Sequence, residues 1–371
     1  MRCPSHLTTF VALSLIAVAG AGCGLAPSSD RASSLDGVGI RATLALPAAK
    51  AAAAAQLDPQ TQAFIDGLAA KGGPPLYTLL VQAARAVLDG LQANRGPRIP
   101  AEIEDRVLPV GPTGSVSIRI VRPPASSGVL PVVMYFHGGG WILGNEDTHD
   151  RLVREIANRA QAAVVFVSYT PSPEAQFPVP VEEAYAATKY VAESGASLGL
   201  DPSRLAVAGD SVGGNMATVV ARLARERGGP AIRYQVLCYP VTDASFDDGS
   251  YQEFADGPWL TRAAMKWFFD AYAPRLADRE RPEVSPLRAS QDQLRGLPPA
   301  LVITDENDVL RDEGEAYAHA LMRAGVRVTA VRYLGTIHDF MMLDALADTP
   351  AARSAVALVS DELRRVLAPG I

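Results

Sequence analysis

Apolar positions along this chain follow two rhythms. From Leu57 to about Gln92 they recur every three or four residues, at Phe64, Ile65 and Leu68 and then at Leu79, Leu80, Ala83, Val87 and Leu91. That spacing predicts helix, and Gly72-Gly73-Pro74-Pro75 divides it in two. Beyond residue 115 the pattern changes. Val116, Ile118 and Ile120 alternate as a half-buried strand, and Leu130 to Phe136 is a continuous apolar run. Helix is predicted over 150–160, 179–194, 211–226, 313–323 and 351–367. Strand is predicted over 162–167, 204–208, 234–239, 299–304 and 326–333. Continuous Val/Ile/Leu strands separated by helices predict an α/β fold, with a mostly parallel sheet covered on both faces. The crossovers tie the run together, so 57–371 reads as one domain. Residues 244–295 interrupt it. They are rich in Asp, Pro and aromatic residues, contain one predicted helix near 261–273, and read as an insertion over the sheet.

Composition adds what the pattern does not touch. A chain of 371 residues that is 48% hydrophobic can fill such a core. Its net charge of -6 provides no basic field for nucleic acid. The first 23 residues read as a targeting segment instead of fold. Arg2 precedes a run of small and apolar residues from Phe10 to Gly22, too short to span a bilayer comfortably. Gly20-Ala21-Gly22-Cys23 resembles a bacterial lipobox, which would put a lipid anchor on Cys23; Gly20 stands where a Leu-like residue is usual, and plain secretion is the alternative. Either way the protein is expected to be exported, periplasmic, anchored or secreted. Residues 24–56, rich in Ala, Ser, Pro and Gly, read as a flexible linker. Outside the targeting segment Cys238 is the one remaining cysteine, so no disulfide within the chain is expected, and its apolar run makes it core filler.

Candidate chemistry begins at Gly209-Asp210-Ser211-Val212-Gly213, a G-x-S-x-G between a predicted strand and a predicted helix. Small neighbours let the backbone turn sharply and push the Ser211 hydroxyl outward as a nucleophile. The pattern alone is weak. It gains weight from His137-Gly138-Gly139-Gly140, directly after another strand. Glycines allow backbone amides close to a substrate oxygen, and with the Val212 N–H they can hold a developing oxyanion. A phosphate cradle is the rival reading. A dinucleotide loop would need G-x-G-x-x-G at a helix start, and Trp141-Ile142-Leu143-Gly144 does not fit.

A serine nucleophile needs a base and a group that orients it. Of the five histidines, His6 lies in the targeting segment, His137 in the glycine loop, His149 at a predicted helix start and His319 within a predicted helix. His338 follows the last strand and is the candidate base. Asp305, Glu306, Asp308 and Asp312 follow the preceding strand. Asp308 is the choice for the acid; Asp305 can act as a structural cap, and Asp312-Glu313 suits the start of the next helix. The order Ser211, Asp308, His338 is that of α/β-hydrolases.

At this point the chain resembles bacterial members of the hormone-sensitive lipase family of α/β-hydrolases. His137-Gly138-Gly139-Gly140-Trp141 is similar to its HGGG motif and Gly209-Asp210-Ser211-Val212-Gly213-Gly214 to its G-D-S-A-G-G. Tyr169 to Glu174 with Phe177-Pro178, Asp308 to Gly314, and His338-Asp339-Phe340 resemble further family segments. The resemblance runs from about residue 57 to the C-terminus. It implies a cap built from about 57–100 and 244–295, oxyanion donors at Gly139, Gly140 and Val212, and motif support from His137, Gly138 and Asp210. It implies hydrolysis of short-to-medium acyl esters of small molecules, with no metal or cofactor. Asp339 replaces the family's Gly and adds a carboxylate beside His338, able to raise its pKa or to face solvent. An amidase or deacetylase on the same fold is the rival activity, and a ligand-binding homologue without catalysis the rival class. Phe246, Trp259, Trp267, Phe268 and Phe269 are expected to pack the insertion more than to line a pocket.

Overall fold

The computed structural model describes residues 55–370 apart from 94, 95, 97 and 127. The expected targeting segment, Cys23 and nearly all of the 24–56 stretch lie outside the described residues. From Ala52 onward the chain clusters as one compact unit. Among the described residues, no helix is long and apolar enough to cross a membrane.

Two helices come first, α1 (Pro59–Lys71) and α2 (Val81–Leu91). Asp58 caps α1 by accepting from the Gln60 and Thr61 amides, and Gly72 ends it in the left-handed region. Then follow β1 (Glu102–Leu108), β2 (Val116–Arg122), β3 (Leu130–Phe136), α3 (Asp150–Ala160), β4 (Ala163–Ser168), α4 (Val179–Ser194), β5 (Leu200–Asp210), α5 (Val212–Glu226) and β6 (Tyr234–Cys238). The insertion holds α6 (Gly249–Glu253), α7 (Arg262–Tyr272), α8 (Leu276–Arg279) and α9 (Gln291–Leu294). The body resumes with β7 (Ala300–Asn307), α10 (Arg311–Arg323), β8 (Val328–Ile337) and α11 (Pro350–Val366).

Eight strands form one sheet in the order β1-β2-β4-β3-β5-β6-β7-β8. The β1–β2 and β2–β4 pairs are antiparallel and the others parallel. The central strands are mostly apolar because helices cover both faces; β3 from Pro131 to Phe136 and all of β6 are buried. Cys238 is buried in β6 and, among the described residues, is a free thiol.

β1 is absent from the sequence expectation, for a physical reason. Glu102, Glu104, Asp105 and Arg106 interrupt any apolar alternation. An edge strand can carry such residues because it pairs on one side only. Asp105 lies directly opposite Arg119 on β2, and the two form an ion pair at 2.7 Å. β5 begins earlier and β8 ends later than their apolar runs, since a backbone ladder continues through polar residues.

This topology collects strand ends at one edge. Asp210 ends β5, His338 follows β8, and Asp308 follows β7. The first two helices are tied over that edge. Arg85 on α2 donates to the Ile142 carbonyl at 2.8 Å and pairs with Glu174 at 2.7 Å. Buried Gln92 donates to the carbonyls of Thr148 and Met342. The beginning of the described chain is also anchored: Asn307 donates to the Gln56 carbonyl at 3.0 Å.

Candidate active site

Ser211 sits between β5 and α5 with φ 57 and ψ -121, a backbone conformation that non-glycine residues avoid and that costs roughly 1–3 kcal/mol. Hydrogen bonds hold it there: its amide donates to the Cys238 carbonyl at 2.9 Å, and its own carbonyl accepts from Val241. The spacing of the motif follows from contact at the crossing. A Cβ at Gly213 would lie 1.9 Å from the Phe136 carbonyl oxygen, so only glycine lets α5 pass that close to β3.

The structure brings the three sequence candidates into one chain of hydrogen bonds. His338 Nε2 lies 2.9 Å from Ser211 Oγ, and His338 Nδ1 lies 2.8 Å from Asp308 Oδ2. Asp308 is held in turn by the Leu310 amide at 3.0 Å. A carboxylate only accepts, so Nδ1 carries the proton and Nε2 addresses the serine. Burial pushes the His338 pKa down, but Asp308 and then Asp339 outweigh it, and the net result is a rise to about 9. Asp305, inside β7, is fully buried, and neither of its oxygens has a hydrogen-bond partner. Burial and the neighbouring Asp308 and Asp339 hold it well above the usual carboxylate range. It therefore does not cap the strand. Asp305, Asp308 and His338 offer ligand atoms within 4.8 Å of one another, but an ion there would have to break the His338–Asp308 hydrogen bond. Glu313 does more than start a helix: buried, it accepts from the Thr242 and Asp243 amides. His319 is exposed on α10.

The glycine loop faces Ser211. Among the described residues the Gly139 and Gly140 amides donate no hydrogen bond within the protein, and Val212, the first residue of α5, has the unpaired amide expected at a helix start. All three are available to an incoming oxygen. Gly140 has φ 64, and a Cβ there would lie 2.0 Å from the Phe268 ring on α7. Gly140→Ala is therefore expected to push the loop off its position and lower kcat about a hundredfold or more, the usual cost of a displaced oxyanion donor. Steady-state kinetics on p-nitrophenyl butyrate check this; an unchanged kcat would dismiss the loop from oxyanion binding.

Asp210 has a larger part than motif support. It is fully buried, and its Oδ1 accepts from Tyr135 Oη at 2.7 Å and from the Gly138 amide at 3.1 Å. Its Oδ2 lies 3.2 Å from His149 Nε2. One carboxylate thus joins the nucleophile turn, the glycine loop and the start of α3. Burial alone would raise the Asp210 pKa, yet the His149 cation and these donors hold it below the ordinary value. Burial alone would lower that of His149, yet Asp210 holds it up. His137, stacked on Tyr169 at 4.3 Å, has no such partner, and burial and the His149 charge press it down to about 3. Sequence reasoning placed His149 only at a helix start; nothing local signals a contact with a residue 61 positions away.

A linkage prediction follows. The lowered Asp210 contributes stability above its unfolded pKa of about 4, lost as pH falls through its folded value. The raised His149 contributes below its unfolded value of about 6.5, lost as pH rises through its folded value. The pair is thus worth most between about pH 4 and 6.5. The Tm difference between wild type and His149→Phe is expected to peak in that window; a difference flat from pH 4 to 9 would count against the ion pair.

Above the serine lies a cavity of about 590 Å³. Ser211, His338, Gly139 and Gly140 form part of its wall. Leu76, Leu79, Val87 and Leu91 come from the N-terminal helical region, and Trp259, Leu260 and Phe268 from the insertion. Trp259 and Phe268 therefore line the space, whereas Phe246 and Phe269 pack on each other at 5.2 Å and Trp267 packs against Phe268.

Comparison with known proteins agrees with this geometry. Residues 133–342 match a family described by the α/β-hydrolase fold. A carboxylesterase of Mycobacterium tuberculosis is 40% identical over 77% of this chain and 90% of its own length. An ethyl acetate hydrolase of Pseudomonas putida is 36% identical over 79% of this chain and 92% of its own. The crystal structure of a thermostable esterase from Pseudomonas putida superposes with a TM-score of 0.83 at 51% identity, covering 84% of this chain and 98% of that one. With the motifs, the sheet order and these relatives in agreement, the chain belongs to the α/β-hydrolase fold family, in its hormone-sensitive-lipase-like branch.

Proposed function

We propose that this carboxylic ester hydrolase acts as a serine esterase on short-to-medium acyl esters, through an acyl-enzyme at Ser211. The observation that carries the reading is the Ser211–His338–Asp308 hydrogen-bond chain on the wall of an apolar cavity. In the first half-reaction Ser211 Oγ attacks the ester carbonyl and His338 Nε2 takes its proton. Charge on the carbonyl oxygen is met by the Gly139, Gly140 and Val212 amides. The C–O bond breaks, and the alcohol leaves with the proton from His338. In the second half a water gives its proton to the same nitrogen, attacks the acyl carbon and releases the acid, returning the proton to Ser211. Asp308 orients the imidazole throughout.

The cavity sets an expected substrate profile. Each methylene buried against its walls is worth about 0.8 kcal/mol, or roughly fourfold in kcat/KM. In a p-nitrophenyl series from acetate to palmitate, kcat/KM is expected to climb over the first methylenes and fall once the chain outgrows the space. A maximum at palmitate would reject the short-to-medium assignment. A fluorophosphonate probe tests the mechanism, with labelling expected at Ser211. Tight ligand binding without labelling would instead favour a non-catalytic homologue.

A further inference from the structure

We infer that Asp339 is a positioning residue for the reaction: locked by Trp259, its carboxylate competes with Ser211 for His338 Nε2 and sets the pH at which the base is free to act. This rests on the reading of His338 as the base.

The geometry is specific. Asp339 directly follows His338 and takes φ 67, a left-handed conformation that Asp and Asn tolerate better than most side chains. The turn that results brings Oδ1 to 3.5 Å from His338 Nε2, on the side of the ring away from Asp308. That oxygen is buried and, among the described residues, has no hydrogen-bond partner. The other oxygen, Oδ2, accepts from the Trp259 indole N–H at 3.0 Å. Trp259 belongs to the insertion, and its ring packs on Phe64 of α1 at 5.6 Å. Both parts of the expected cap thus meet at the group that holds this carboxylate in place.

Nε2 therefore faces two oxygens, Ser211 Oγ at 2.9 Å and Asp339 Oδ1 at 3.5 Å. The neutral ring can accept the serine proton; the imidazolium cannot. A carboxylate beside Nε2 favours the imidazolium, so the resting base must first give its proton to solvent. The other groups near the ring do not cancel this. Asp308 adds to it from the end of β7, and Asp210 adds more distantly from the end of β5. His149, the nearby cation, pairs with Asp210. Asp305 is held well above the usual carboxylate range, Tyr239 presents an uncharged ring edge-on at 5.0 Å, and Trp259 carries no charge. Burial pushes Asp339 itself above the usual carboxylate range, with His338 and the indole N–H pulling it back. The rise of the His338 pKa to about 9 agrees with the geometry.

The test is the pH dependence of kcat/KM for p-nitrophenyl butyrate, which reports ionisation in the free enzyme. In Asp339→Asn, nearly isosteric and compatible with the same backbone, the midpoint of the ascending limb is expected to fall by one pH unit or more. At pH 7 kcat/KM is then expected to rise about tenfold. Trp259→Phe keeps an aromatic ring but loses the pyrrole half of the indole with its N–H; the freed carboxylate takes up a proton more readily, and a smaller shift in the same direction is expected. An unmoved or raised midpoint in Asp339→Asn would overturn the inference. A second readout needs no turnover: NMR titration of His338 in ¹⁵N-histidine-labelled Ser211→Ala, with and without Asp339→Asn. A downward shift there supports the coupling even if Ser211 proves not to be the nucleophile. The absence of a shift overturns it even if Ser211 is labelled by the probe.

Discussion

Ser211→Ala is expected to remove turnover of p-nitrophenyl acetate and butyrate, by a factor on the order of 10⁴ to 10⁶. The size follows from what the hydroxyl does. In the proposed mechanism it forms the bond that splits one difficult hydrolysis into two easier steps, and without it His338 has no serine proton to take. With the methyl group in place the Gly139, Gly140 and Val212 amides still face the cavity, so a remnant of catalysis over water should survive. The substitution removes one oxygen that is 2.9 Å from His338 Nε2 and leaves the backbone bonds of the turn intact. Fold and Tm should therefore hardly change, and alanine tolerates the turn no worse than serine. Loss of activity with an unchanged Tm is the expected pair of results. Retention of most activity would remove Ser211 from the mechanism. The same loss from Asp308→Ala, but not from Asp305→Ala, would separate the orienting acid from the one beside it.

The second large effect is on stability. Asp210→Ala strands three groups at once: the Tyr135 hydroxyl, the Gly138 amide and the His149 imidazole, which all face this one carboxylate. Asp210 and His149 are both fully buried, so water cannot replace the lost partner. Breaking a buried pair by removing one member typically costs about 3–5 kcal/mol. At roughly 2–4 °C per kcal/mol for a domain of a few hundred residues, Tm should fall by about 6–20 °C. Activity should fall as well, because Gly138 leads directly into the Gly139 and Gly140 amides. Differential scanning calorimetry decides the first part, and a loss under about 1 kcal/mol would show that the network relaxes around the gap. The two variants form a contrasting pair, one silencing the chemistry in an intact fold and the other loosening the support beneath it.

Much of this was legible in the chain. Helix and strand rhythm located the parallel core because helices on both faces force its strands to be apolar on both sides. The candidate nucleophile, acid and base were legible because each must follow a strand, and the order of strands orders them too. The resemblance then named the branch. β1 was not legible, because an edge strand can satisfy its ladder with charged residues that show no apolar period. The first two helices were visible as helices, but their place in a cap came only from the resemblance.

The sequence by itself determined which residues can do the chemistry: Ser211, Asp308 and His338, with a glycine loop to meet the oxyanion. Local rules suffice there, since a strained turn, a close amide and a base after a strand each leave a mark on neighbouring residues. Tertiary structure alone decided what surrounds them. Asp305 is held well above the usual carboxylate range and Asp210 below it, yet both are buried aspartates; the difference is His149, brought from 61 positions away. Asp339 turns inward to His338 and not to solvent because Trp259, 80 residues earlier, holds its other oxygen. Ionisation depends on which charges and dipoles lie within a few ångströms, and in a folded chain those neighbours are set by packing, not by sequence distance.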